Sequence, residues 1–129
     1  MNREDIIKRL NELNLPKDSY WICAGSAMAM YGLREETHDI DLGCTKKLAD
    51  EIEIKYPTSL RGNRRRIELA EDIEMYEEMC VGDINLIDDL PVVSLNSVLK
   101  MKKALNRPKD KKDIEIIEKY LLATATDNK

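Results

Sequence analysis

Phenylalanine is absent from this 129-residue chain, and tryptophan and histidine occur once each. A core without Phe must rest on Ile, Leu, Val, Met and a few Tyr, and the 43% hydrophobic content supplies a modest one. No apolar run is long enough to suggest a membrane span, so no membrane partner is expected. Cys23, Cys44 and Cys80 are odd in number and lack the close spacing of a zinc site or a redox dithiol. They read as reduced, packed thiols, which favours a cytoplasmic setting. A positive balance is missing too: the formal charge of -4 argues against coating nucleic acid by bulk electrostatics, although a local basic patch can still hold phosphates. The first residues, Met1-Asn2-Arg3-Glu4-Asp5, are charged and lead into an amphipathic segment, so no secretory signal is expected.

What is present reads as one domain over residues 1–122 followed by a frayed tail, 123–129. Ile6, Ile7, Leu10 and Leu13 recur at helical spacing behind a capping Asn2. Tyr20 to Ala24 is a short apolar run that stops at Gly25, as a buried strand turning into a helix would. A second strand is expected from His38 to Cys44, then a helix capped by Thr45 and ended by Pro57. Ser59–Arg61 and Arg65–Leu69 can pair across Gly62-Asn63, and Ile73–Tyr76 and Val81–Ile87 add strand candidates. Ser94 caps a helix through Leu105, and 110–122 carries Ile114, Ile117 and Leu121 at helical spacing. The expected fold is α/β, a mixed sheet flanked by helices with a C-terminal helical pair.

Two aspartates carry the chemistry. Asp39 and Asp41 are one residue apart, so on a strand their carboxylates leave the same face and repel unless a cation lies between them. A divalent metal, Mg2+, suits that position. Gly25-Ser26 at a strand-to-helix turn lets backbone approach a ligand closely, while free helix N–H groups favour anions. An isolated Asp-x-Asp is commonly a solvated edge; beside a phosphate seat, the pair could grip a nucleotide through magnesium.

These residues resemble a known family. Ala24-Gly25-Ser26, Gly32-Leu33-Arg34, Thr37 and Asp39-Ile40-Asp41-Leu42 look like the signature of the DNA polymerase beta-type nucleotidyltransferase superfamily, in its AbiEii-like, minimal branch. Pro91-Val92-Val93-Ser94-Leu95, Lys102, Arg107-Pro108-Lys109-Asp110 and Asp113-Ile114 resemble the closing segment of that branch. The resemblance implies Mg2+-dependent transfer of a nucleoside monophosphate from an NTP, ATP among the candidates, to an acceptor hydroxyl on RNA, a protein or a small molecule. It also implies that Asp39 and Asp41 bind metal and act catalytically, and that Gly25, Ser26, Arg34 and Lys102 contact nucleotide. A third carboxylate on a later strand is expected, with Asp83 or Asn85 at the position; Asp83 is taken as catalytic because Asn85 can neither accept a proton nor supply negative charge. The alternative is an impaired nucleotide-binding or toxin/antitoxin interaction module, acting with a partner protein or as a homo-oligomer. His38 is read as a structural imidazole facing the core, Arg34 as a brace or a phosphate contact, and Arg61 to Arg66 as a solvated hairpin tip or a polyanion guide.

Overall fold

The computed structural model describes residues 1–127. Helix α1 (Arg3–Leu13) opens with a capping box in which Asn2 and Asp5 each bond the other's backbone N–H. Strand β1 (Tyr20–Cys23) is buried throughout and passes directly into α2 (Ala24–Met30). Then come β2 (Ile40–Cys44), α3 (Lys46–Ile52) capped by Thr45, β3 (Thr58–Arg61), β4 (Arg64–Ala70) and β5 (Ile73–Glu77). The chain continues through β6 (Ile84–Ile87), β7 (Leu90–Val93), α4 (Leu95–Leu105), a single 3-10 turn (Pro108–Asp110) and α5 (Lys111–Asp127).

The seven strands form one mixed sheet in the order β3-β4-β5-β2-β1-β7-β6. β2 runs antiparallel to β1 and parallel to β5, and β7 runs parallel to β1. Alternation along the strands separates two faces. Ile40, Leu42, Ile67, Ile73 and Met75 point into the core, with Ile22 and the α3 residues Leu48 and Ala49 among its other members. Asp41, Glu74 and Tyr76 point the other way, and Asp41 stands opposite Glu74 in the register.

The α/β architecture and the paired closing helices follow the expectation, with local departures. The second strand begins at Ile40 rather than His38, and α3 ends at Ile52 rather than near Tyr56. Strand β7, which the sequence reading folded into the approach to α4, fills a place beside β1. α5 runs on to Asp127, past the expected end at 122, and takes in residues 123–127 of the segment read as a tail; 128 and 129 lie outside the described residues.

Candidate active site

The turn from β1 into α2 is built on an unusual backbone. Ala24 has φ +54°, a left-handed conformation that non-glycine residues seldom hold, and it reverses the chain so that Gly25 faces a cleft. At Gly25 a Cβ would stand 2.3 Å from Arg34 Nη1 and 3.4 Å from Thr37 Oγ1, so the arginine lies directly over the turn and would have to shift for any larger residue. Arg34 gets there because α2 ends in a left-handed Gly32 (φ +79°), with Gly32 N–H bonding Ala29 and Leu33 N–H bonding Met28.

Ser26 is wholly buried. Its hydroxyl donates to the Cys23 carbonyl at 2.6 Å and accepts from the Asp41 N–H at 3.2 Å, stitching β1 to β2 behind the aspartates. Ser26, expected to contact nucleotide, thus has its hydroxyl turned inward. Thr37 Oγ1 donates to the Asp39 carbonyl at 3.0 Å and fixes the entry to β2. Asp39 is exposed just before that strand, and Asp41 is half-buried within it. The two aspartates share a cleft of about 420 Å³ with Gly25 and Arg34.

The C-terminal segment supplies the rest of the lining. Lys102, only 5% exposed on α4, lies 3.3 Å from Asp110 and 3.2 Å from Asp113. Arg107 pairs with Asp110 at 2.7 Å, Arg34 pairs with Asp113 at 2.6 Å, and Lys109 also lines the cleft. The Arg107 guanidinium, with help from Lys102, holds the Asp110 carboxyl below its usual range. Asp41 is shifted the other way: burial first, then the charges of Glu74 and Asp39, push it up to about 6, against the opposing pull of Lys102 and Arg107.

Glu74 is the acidic residue that sequence reasoning missed. It adjoins Asp41 across the β2–β5 pairing, accepts a bond from Tyr76 and pairs with Arg66, whose guanidinium holds its carboxyl below the usual range. Polar Glu74 between apolar Ile73 and Met75 was the available signal, but the sequence did not say that β5 lies beside β2. Asp83, expected in this role, is exposed in the loop before β6 and lines a separate hollow with Ser94, Ser97 and Lys100. Two strands, β1 and β7, separate β6 from β2 in the sheet, so Asp83 is no neighbour of the aspartate pair. Asn85 is equally removed and bonds the Tyr31 hydroxyl at 2.9 Å. His38 also departs from expectation: with β2 starting two residues later, the imidazole is exposed and lines the cleft instead of facing the core. Among the described residues, no three His, Cys, Asp or Glu side chains are grouped so as to hold a metal by themselves. Asp39 and Asp41 nevertheless fit magnesium, which takes few protein oxygens and completes its shell with water and substrate phosphate.

Two solved structures superpose on nearly the whole chain. A Thermotoga maritima protein assigned as a nucleotidyltransferase has a TM-score of 0.60 at 17% identity, over 95% of this chain and 96% of its own. This fold is a nucleotidyltransferase fold. The aminoglycoside nucleotidyltransferase ANT(2″)-Ia, solved with adenylyl-2″-tobramycin, matches at a TM-score of 0.58 and 17% identity, over 95% of this chain and 88% of its own. No protein-family model and no curated protein matches the sequence. Among the described residues, no helix is long and apolar enough to cross a membrane.

Proposed function

We propose that this protein transfers a nucleoside monophosphate from an NTP to an acceptor hydroxyl, releasing pyrophosphate. One observation carries the reading: on a nucleotidyltransferase fold, Asp39 and Asp41 line one cleft together with Arg34, Lys102, Arg107 and Lys109, with Glu74 beside Asp41. Asp39 and Asp41 would hold Mg2+, which when bound supplies charge neutralisation at the reacting phosphate and at the leaving pyrophosphate.

The chain's own groups do the rest. Arg34 and the cations of the closing segment draw the triphosphate into the cleft that the aspartates line, and their positive charge stabilises the negative charge that grows on the departing oxygens. Gly25 lets the guanidinium of Arg34 settle against the turn. Ser26 contributes by bonding β1 to β2 and so fixing the backbone under Asp41. The acceptor oxygen attacks the α-phosphorus as the bond to the bridging oxygen breaks, and Glu74, once released by Arg66, takes the acceptor proton on its carboxylate. Free thiols at Cys23, Cys44 and Cys80 support a cytoplasmic setting. The AbiEii-like placement belongs to the same proposal and rests on the motif residues 24–26 and 37–42.

The test is incubation with α-labelled NTPs, magnesium and three classes of acceptor: RNA, cell protein and polyhydroxylated small molecules. Label transfer by the parent and its loss in Asp39→Ala and Asp41→Ala are expected. Transfer that survives both substitutions defeats the reading.

A further inference from the structure

The hairpin β3–β4 carries four arginines, and the fold sorts them. Arg65 faces α3 and is taken up by Asp50 at 2.8 Å, by Glu53 and by Glu77 at 2.8 Å. Arg66 is taken up by Glu68 at 2.7 Å and by Glu74. Arg61 and Arg64 are register partners, so they share one face, and two-residue alternation along β4 makes it the face of Arg66, Tyr76 and Glu74. Both are exposed. Among the described residues Arg61 makes no ion pair, and Arg64 gives only a 3.3 Å bond to the Glu78 carbonyl.

These two arginines, Lys46, Asn63 and Tyr76 line a hollow of about 620 Å³. Glu77, at the same place, is already bound by Arg65, and Glu78 accepts the Lys46 backbone N–H at 3.3 Å. Among the described residues, Lys46, Arg61 and Arg64 form no ion pair, so three side-chain cations stand in this hollow against the charge of Glu78. Tyr76 links this hollow to the aspartate strand: the residue lines the hollow while its hydroxyl bonds Glu74, the register partner of Asp41. Arg61 is close enough for its charge to be among those lowering the Glu74 carboxyl.

We propose that this hollow seats the backbone of a single-stranded nucleic acid whose terminal hydroxyl is the acceptor at Asp41 and Glu74. The inference rests on the transferase reading and names its acceptor. Phosphates would meet Arg61, Arg64 and Lys46, and a base would lie on the Tyr76 ring, the combination of charge and aromatic platform by which proteins hold unpaired strands. An acidic peptide would use the cations but leave the aromatic platform and its continuity with the catalytic carboxylates without purpose.

The test measures the anisotropy of a short fluorescein-labelled oligouridylate, and of its deoxy counterpart, with the whole protein and no NTP across a salt series. Binding by the parent is expected, with either sugar, and Arg61→Ala/Arg64→Ala should weaken it at least tenfold. Loss of two phosphate contacts should also reduce the slope of log K against log salt by about 1.4. Magnesium–NTP affinity, read by calorimetry, should stay unchanged, and Arg61→Glu serves as a second variant if the double substitution unfolds. No binding by the parent, equal binding by the variants, competition by polyglutamate as strong as by oligonucleotide, or a parallel loss of NTP affinity would each overturn the proposal. Oligonucleotide binding without label transfer counts against the transferase reading instead, whereas transfer to a small molecule without oligonucleotide binding counts against this acceptor alone.

Discussion

Asp41 concentrates the molecule's functional tension in one carboxyl. Its value of about 6, against 3.8 for a free side chain, means that the folded state binds a proton more tightly than the unfolded state does. The stability contributed by that proton is complete below the unfolded value and is lost as pH rises through about 6, a difference on the order of 3 kcal/mol. Replacing Asp41 by Asn should therefore raise the melting temperature of the nucleotide-free protein at pH 8, have little effect near pH 4, and abolish transfer; thermal melts at both pH values check this. Protons and magnesium would compete for the same oxygens, so magnesium affinity, measured by titration calorimetry, should fall as pH drops through about 6. Glu74→Gln should cut transfer at least a hundredfold, while Asp83→Asn should leave it near the parent rate, because only Glu74 adjoins Asp41. The sequence made Asp39 and Asp41 legible because both sit within one short motif. Glu74 was not, since its relevance depends on a pairing between strands separated by a helix and a hairpin.

At the scale of elements, the turn joining β1 to α2 is held by sterics as much as by bonds. Gly25→Ala would place a methyl group 2.3 Å from Arg34 Nη1, so the end of that side chain must shift and loosen its 2.6 Å pair with Asp113. Nucleotide affinity should fall at least tenfold in calorimetry while circular dichroism remains that of the parent. Ala24, strained in its left-handed conformation, should accept glycine with a gain of up to about 1 kcal/mol in chemical denaturation. Helices α1, α3 and α4 were readable from their caps at Asn2, Thr45 and Ser94. Strand β7 was hidden for two reasons. Pro91 argues against a strand with partners on both sides, and the β6–β7 turn uses Asp88 and Asp89 in left-handed conformations where Asn-Gly would have announced a hairpin.

For the molecule as a whole, a chain of formal charge -4 still gathers Lys46, Arg61 and Arg64, exposed and without ion pairs among the described residues, around one hollow. Binding of magnesium and NTP at one hundred times the dissociation constant should add about 2.7 kcal/mol of stability, several degrees in a thermal melt. Nucleotide without magnesium should add less, and a shift independent of magnesium would count against shared binding by Asp39 and Asp41. The overall architecture was visible beforehand in the alternation of strand and helix signals. The order of strands was not, because neighbours in a sheet are chosen by packing between distant segments, and that order decides which carboxylates meet.

The ion pair between Arg34 and Asp113 joins a loop from the first third of the chain to the last helix. During synthesis the aspartate motif leaves the ribosome long before its closing partner, so a nascent chain carries both acidic residues yet lacks the clasp that seats its arginine. Under the proposed function, Arg34 would be seated only once α5 has docked, so the docking of that helix and competence to bind nucleotide would arrive together.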